Sequence, residues 1–205
     1  MKTGDSQSPE TEQLTRMSEP TPAAVMKRFS LKLGAENDAL VAAQTTHTSA
    51  LKKLLQAKQF DAAIEYLAFA LRKREAVLWA CVAARGALGD DPPREPVELL
   101  AAAEAWIRQP DEERRAAALA TAEAREDPSP SRFAAMAAGF CGGSLTPPEL
   151  DEVPPPDDLS GKLVLNALKL ILLANPPEEL EAQQQALLGR GISIAQRAAA
   201  NRRTG

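Results

Sequence analysis

The amino-acid sequence predicts an all-α protein, and three observations support this prediction. Leu and Ala dominate the apolar residues, whereas the chain has seven Val and five Ile. β-Branched side chains favour strands, and unbranched ones keep their rotamer freedom in helices. Pro, Gly and acidic residues divide the chain into segments of helical length, and apolar residues recur at helical steps, as at Ile64, Leu67, Leu71, Leu78 and Val82. We expect a compact bundle of antiparallel helical hairpins with about seven to nine helices.

Residues 60–88 are the segment against which we expect the other helices to pack. Tyr66, Phe69 and Trp79 lie off its apolar stripe, so this segment is apolar on more than one side. A helix of that kind is usually surrounded by other helices. Residues 72–75, Arg-Lys-Arg-Glu, are predicted to join two helices, because a cation suits a helix C-terminus and an acid suits a first turn.

The first part of the chain is predicted to contain a tail and four helices. Residues 1–20 are polar and aperiodic, which is typical of a disordered tail. A single helical domain is expected over residues 21–200, followed by a basic end at 201–205. His47 is expected in a solvated loop, and Asp61 is expected to cap a helix. The predicted helices before the 72–75 junction are 22–29, 36–43, 48–57 and a segment that starts near Asp61.

The second part is predicted to contain a long loop between helices. Residues 141–158 hold five Pro, two Gly and five acids, which exclude a regular helix and indicate an acidic edge. Ser160 is expected to cap the helix that follows, and that helix is expected to be fully buried. The last helix has a weak point at Gly189 and Gly191. The helices expected after residue 75 are a segment ending near Gly86, then 95–109, 111–126, 131–140, 161–174 and about 178–200.

Composition argues against several functional classes. The net charge of −4 is unlike the basic surplus of a nucleic-acid binder. The most apolar run, residues 163–174, is too short for a membrane span, which needs about 20 apolar residues, so no membrane insertion is expected. The N-terminus has no apolar core of a secretory signal. These features predict a cytoplasmic protein whose two cysteines, Cys81 and Cys141, are reduced.

The sequence contains no motif of a known catalytic or metal site. One His and two cysteines without metal-ligand spacing do not provide a metal site. Gly142-Gly143-Ser144 lacks the GK[ST] of a phosphate-binding loop. We expect a chain reversal with positive φ there instead. The chain is therefore predicted to be neither an enzyme nor a cofactor-binding protein.

Three groups of residues are candidates for binding a protein partner. The basic cluster of residues 72–74 could contact an acidic surface, although such a run is more often a solvated helix end. Trp79 could lie at an interface or in the core. The Gly/Pro-rich loop could bind a basic protein. The candidates are Arg72, Lys73, Arg74, Trp79, Gly142, Gly143, Glu149, Asp151 and Glu152.

Three stretches together resemble an uncharacterised family of small helical bacterial proteins associated with type VI secretion gene clusters. They are AIEYLAFALRKREAVLWACVAAR (63–85), AEAWIRQPDEERRAAALATAE (103–123) and FAAMAAGFCGGSLTPPELDEVPPP (133–156). The resemblance covers roughly residues 50–195. The chain departs from the family pattern where Arg72 follows Leu71 and where Leu78 precedes Trp79.

The resemblance implies an accessory role and no enzymatic activity. The expected function is a non-enzymatic adaptor or co-chaperone that helps load an effector or spike-tip protein. Its binding should be largely apolar and insensitive to salt. The alternative is a regulatory or immunity-type protein that binds a basic partner through its acidic loop, and that binding should weaken in salt. The sequence does not determine the partner's identity or the oligomeric state.

Overall fold

The structure, a computed structural model, describes residues 14–146 and 149–196, and this part of the chain is all-α. It contains ten α-helices, a 3-10 turn at Pro177–Glu179 and no β-strand. The all-α prediction is confirmed; the ten helices of the described residues match in number the ten segments predicted one by one and exceed by one the upper limit of the predicted seven to nine. The helices are α1 (Pro22–Arg28), α2 (Ala35–Ala42), α3 (His47–Gln56), α4 (Phe60–Ala70), α5 (Lys73–Gly86), α6 (Arg94–Arg108), α7 (Glu112–Glu123), α8 (Pro130–Gly139), α9 (Leu159–Leu173) and α10 (Leu180–Gln196).

Local sequence signals explain where several helices begin. In α1, α3, α7 and α8 the side-chain oxygen of the residue before the helix accepts a hydrogen bond from a first-turn backbone N–H. This bond satisfies a donor that has no partner within the helix. Pro22 and Pro130 occupy first helical positions, where their missing N–H costs nothing. Asp61 does not cap α4 as predicted; it lies in the first turn and accepts from Gln184 Nε2 (2.7 Å). The capping residues of α1, α3, α7 and α8 are Thr21, Thr46, Asp111 and Ser129.

Helices α4 and α5 form the centre of the domain, as the apolar character of residues 60–88 predicts. Leu71 and Arg72 are extended between them, so a junction occurs here, but it is shorter than the predicted 72–75, because α5 already begins at Lys73. α4 packs against α1, α3, α9 and α10, whereas α5 packs against α6, α8, α9 and α10. Tyr66 and Trp79 are fully buried, and Phe69 is nearly so. The aromatic side chains off the stripe therefore face other helices.

Helices α8 and α9 pack closely on each other and on α5. The prediction that α9 is fully buried is wrong. The helix has a solvent-exposed face that consists of Lys162, Asn166, Lys169 and Leu173. Ser160 is not the cap of α9 either. It is the second residue of that helix, it is buried, and its Oγ donates to the carbonyl of Ala137 on α8 (3.0 Å). This hydroxyl therefore joins two helices.

Residues 14–20 lie against the helices, although the sequence indicated a disordered tail through residue 20. Leu14 and Met17 are buried. The backbone N–H of Thr15 donates to the carbonyl of Ala195 (3.1 Å), and that of Ser18 donates to the carbonyl of Ala70 (2.7 Å). The two apolar side chains and these backbone bonds hold the segment in place. The remainder of the predicted tail, residues 1–13, and the basic end at 201–205 lie outside the described residues.

The segment between α8 and α9 has no helix in the residues described there. Ser144 Oγ accepts from the backbone N–H of Thr146 and of Val153, both at 3.0 Å. The N–H of Leu145 donates to the carbonyl of Val153 (2.8 Å). These bonds close the loop on itself. Among the described helices, none combines the length and apolar character needed to cross a bilayer.

Candidate functional site

The basic cluster of residues 72–74 is divided among three neighbours. Arg72 Nε donates to the carbonyl of Met17 (3.3 Å), and Lys73 Nζ lies 3.1 Å from Asp157 Oδ1. Arg74 Nε donates to the carbonyl of Ile107 at the end of α6 (2.7 Å). A cation there satisfies a carbonyl that the helix leaves without an internal partner. The three side chains therefore do not form one patch, and Arg74 serves to hold α6 against α5.

Arg72 and Lys73 instead line a cavity of about 250 Å³. We call it the basic pocket. It lies where residues 14–20, α1, α4 and the N-termini of α5 and α9 meet, and it also receives Arg28. Its apolar lining includes Phe29 and Phe69, whose ring centroids are 5.6 Å apart. The structure thus brings two predicted residues together with the end of the predicted acidic loop, because Asp157 also lines this pocket.

Trp79 lies in the core and not at an interface. Its side chain has no exposed surface, and its indole Nε1 donates to the carbonyl of Leu187 on α10 (2.9 Å). A buried indole N–H needs a hydrogen-bond partner, and α10 provides one. The prediction that Trp79 contributes to a binding surface is wrong, because the folded chain leaves none of this side chain accessible.

Gly143, the second of the two predicted glycines, accommodates a buried arginine. Gly143 has a φ of +75°, which confirms the predicted chain reversal. Arg115 lies against Gly143, where a Cβ atom would collide with its guanidinium. That guanidinium donates to the carbonyl of Gly139. It also donates to the Glu112 carboxylate, from Nε at 2.7 Å and from Nη2 at 2.6 Å. Gly143 therefore has a structural role here, whereas a Cβ atom on Gly142 would meet Arg115 only at an ordinary contact distance of 3.8 Å.

The acidic loop presents three carboxylates to solvent. Glu149, Asp151 and Glu152 are all exposed. Within residues 14–146 and 149–196, none of the three takes part in an ion pair. Asp157 differs, since it bonds both Lys73 and Arg28. The loop thus offers an accessible negative surface near its middle and is tied down at its end.

His47 and the cysteines occupy environments that favour their neutral forms. His47 is buried at the start of α3, not solvated in a loop, and burial lowers its pKa despite a hydrogen bond to the Glu19 carbonyl. Burial raises the pKa of Cys81 to about 12 and that of Cys141 to about 11. Both thiols therefore stay protonated at neutral pH. No group of three potential metal ligands occurs in the described part of the chain.

A second surface feature was not predicted from the sequence: an apolar groove between α3 and α10. Two adjoining cavities of about 430 and 440 Å³ share Leu55 and Ile192. We call this surface the α3–α10 groove. Leu14 and Leu51 line one end, and Phe60 lines the other. The adjacent residues Leu54 and Leu55 could have indicated this surface. Neighbouring residues of a helix point about 100° apart, so two adjacent leucines cannot both lie on one narrow buried face. Leu54 is fully buried and Leu55 is half-buried.

Comparison with known proteins identified one protein family. The model of a family of unknown function (DUF6931) matches residues 50–195. Searches of curated proteins and of solved structures found no match. The matched region starts within α3 and extends nearly to the end of α10, so it includes both walls of the α3–α10 groove.

Proposed function

We propose that this chain, which belongs to the DUF6931 family of unknown function, is a non-enzymatic protein-binding adaptor or co-chaperone. The observation that carries the proposal is the α3–α10 groove. Leu55 and Ile192 keep part of their apolar surface accessible where the two cavities meet, and accessible apolar surface on a folded domain can mark a protein-binding site. The resemblance of residues 63–85, 103–123 and 133–156 to proteins of type VI secretion clusters supports a role in loading an effector or spike-tip protein.

The groove suits an amphipathic helix of the partner. Two helices with apolar side chains between them offer a groove into which the ridge of a third helix can pack. Leu55 and Ile192 would contact the apolar face of that helix. Lys52 lies on the rim, is exposed and forms no ion pair with the described residues. It favours a partner helix with acidic residues along one edge.

The test is copurification from the native host at low and at high salt. We would compare the tagged wild-type protein with Leu55→Glu/Ile192→Glu, in which two charges oppose apolar binding. Leu173→Glu is the matched control, because Leu173 is 80% exposed on α9 and does not line the groove. We expect the wild type and the control to retain an effector or spike-tip component at high salt. The double variant should lose that component.

Two results would contradict this proposal. One is retention of the same component by a double variant whose circular dichroism and melting temperature match those of the wild type. The other is a preparation without any partner at either salt concentration. The second result would also contradict the charge-based alternative described next.

A second candidate function rests on the exposed carboxylates Glu149, Asp151 and Glu152. Their lack of ion pairs in the described part of the chain leaves them available to a basic protein, as an immunity-type or regulatory role requires. Binding of this kind weakens as salt screens the charges. Loss of the partner at high salt, and its loss from Glu149→Gln/Asp151→Asn/Glu152→Gln at low salt, would favour this function over the adaptor.

A further inference from the structure

The basic pocket already holds a carboxylate that belongs to the chain itself. Asp157 Oδ2 accepts hydrogen bonds from Arg28 Nε (2.7 Å) and lies 2.7 Å from Arg28 Nη2. Asp157 Oδ1 lies 3.1 Å from Lys73 Nζ. Both carboxylate oxygens are thus engaged, one by the fork of an arginine and one by an ammonium group. Charge-assisted bonds from arginine and lysine are strong contacts for a carboxylate, although Arg28 directs both of its nitrogens at Oδ2 and not one at each oxygen.

The pocket carries more positive charge than Asp157 neutralises. Arg28, Arg72 and Lys73 line it, while the carboxylates that face these cations are Asp157 and Glu19, the latter paired with Arg28. Arg72 is hydrogen-bonded through Nε, and its two terminal amino groups have no hydrogen-bond partner among the described residues. Three cations against two carboxylates leave the site attractive to an anion even when Asp157 is in place.

Asp157 is held in a way that permits exchange. Its side chain is 48% exposed, and those of Arg28 and Lys73 are 41% and 38% exposed. Ion pairs at such exposure contribute little to stability, because water and salt screen them. Burial acts to raise the pKa of Asp157, but the bonds from Lys73 and Arg28 outweigh it and lower that pKa. The carboxylate is therefore ionised at neutral pH and can be replaced by another ionised carboxylate.

The apolar lining limits what else the pocket accepts. The half-buried Phe29 lies beside the cations, and Arg28 stacks over its ring at 5.2 Å from the centroid; Phe69 is 6% exposed and adds little accessible surface. A small inorganic anion would leave this aromatic surface in contact with water. An acidic side chain with an apolar neighbour would cover it.

We infer that the basic pocket is a carboxylate-binding site, that Asp157 fills it in the free protein, and that an aspartate or glutamate side chain of a protein partner displaces Asp157. Displacement also releases the end of the acidic loop from α1 and α5. This inference does not depend on the α3–α10 groove, which lies on other residues. Each can therefore fail while the other holds.

The test uses blocked dipeptides as probes and follows amide chemical shifts by NMR. Acetyl-Phe-Asp-amide carries the carboxylate, and acetyl-Phe-Asn-amide is its uncharged counterpart. We expect the first to shift amides around Lys73 and Gly161 in the wild type and the second to leave them unchanged. Asp157→Asn removes the internal competitor and should bind acetyl-Phe-Asp-amide about fivefold more tightly, because the two exposed ion pairs of Asp157 with Arg28 and Lys73 contribute little energy.

Two further variants sharpen the result. Asp158→Asn is the matched control, because Asp158 pairs with Lys162 on α9 and does not line the pocket. This variant should bind acetyl-Phe-Asp-amide with the same affinity as the wild type. Adding Arg28→Gln and Lys73→Gln to Asp157→Asn should abolish binding. Equal affinity of the wild-type chain for acetyl-Phe-Asp-amide and acetyl-Phe-Asn-amide would overturn the proposal, and this comparison needs no substitution. So would an Asp157→Asn variant that binds no more tightly than Asp158→Asn.

A third probe distinguishes the source of the carboxylate. Acetyl-Asn-Phe with a free C-terminus presents a main-chain carboxylate beside the same aromatic ring. We expect it to bind Asp157→Asn more weakly than acetyl-Phe-Asp-amide, because the site is shaped by an aspartate side chain. Tighter binding of this third probe would overturn the assignment to an acidic side chain.

Discussion

His47 shows how a polar residue can be part of the core. Its Nε2 lies 2.8 Å from the carbonyl of Glu19, and its Nδ1 lies 2.6 Å from the hydroxyl of Tyr66. A carbonyl can only accept, so Nε2 carries the proton, and the neutral imidazole accepts from the tyrosine at Nδ1. Burial raises the pKa of Tyr66, so that hydroxyl remains a donor. Protonation of Nδ1 would reverse this bond, because the Tyr66 oxygen would have to accept and its own proton would need another partner.

We predict that acidification destabilises the protein through His47. Burial lowers its folded-state pKa below the ordinary value of 6.5, so the unfolded chain binds a proton at a higher pH than the folded chain. The free energy of unfolding should therefore fall as the pH drops below about 6.5, by at most about 1.4 kcal/mol per pH unit. Below the folded-state pKa this contribution levels off.

Urea unfolding at about pH 7.5 and at about pH 5.5 measures this effect. His47→Gln should be less stable than the wild type at the higher pH, because it loses the bond to Tyr66 or to Glu19. It should also lose most of the difference in unfolding free energy between the two pH values. An identical pH dependence in the wild type and in His47→Gln would show that another group is responsible.

The residues of the candidate site show which roles can be predicted from the sequence and which depend on distant partners. Gly143 was recognised as a chain reversal, because positive φ is a local property. The roles of Arg72, Lys73 and Arg74 depend on Met17, Asp157 and Ile107, which are far away in the sequence. Spacing cannot reveal such partners. The sequence therefore indicated where cations occur but could not separate a helix-capping arginine from a pocket-lining lysine.

At the scale of the helices, α10 packs on α4 and α5 through a glycine. A Cβ atom on Gly191 would lie 2.8 Å from Leu67 Cδ2 and 2.8 Å from Trp79 Cε2. The absence of a side chain lets these two large residues approach α10, whose Leu187 carbonyl accepts from the Trp79 indole. Gly189 is different, since nothing lies within 4 Å of the position of its Cβ.

The two glycines give a matched pair of substitutions. Gly191→Ala should lower the free energy of unfolding by about 1–3 kcal/mol, because the core is overpacked around Leu67 and Trp79. Gly189→Ala should raise it by about 0.5–1 kcal/mol, because alanine favours a helix and meets open space. Urea unfolding of both variants decides the matter. A stabilising Gly191→Ala would contradict the packing described for α10.

Helix positions were predictable to within a few residues, whereas several helix contacts were not. Pro, Gly and capping residues are local signals that marked the junctions after α5 and α7, whereas the charges of residues 72–75 marked the junction after α4. The predicted capping roles of Asp61 and Ser160 were wrong, because each side chain bonds a distant element instead. Residues 14–20 were misassigned for the same reason: their bonds to Ala195 and Ala70 cannot be read from their polar sequence.

At the scale of the whole molecule, the N-terminal segment connects the two proposed binding surfaces. Leu14 lines the α3–α10 groove, and Ser18 lines the basic pocket. Between them, Met17 forms a backbone bridge with Leu71 at the junction of α4 and α5. Five residues thus extend from one surface to the other. A partner that binds both surfaces would contact opposite ends of this segment.

The central claim is that the α3–α10 groove holds the partner, and hydrogen exchange tests it most directly. The measurement compares amide exchange in the free chain with exchange in its complex with the protein that copurifies with it. We expect slower exchange in residues 51–56 of α3 and 188–196 of α10, and none of this slowing in Leu55→Glu/Ile192→Glu. Slower exchange confined to the acidic loop, residues 149–158, with α3 and α10 unchanged, would contradict it.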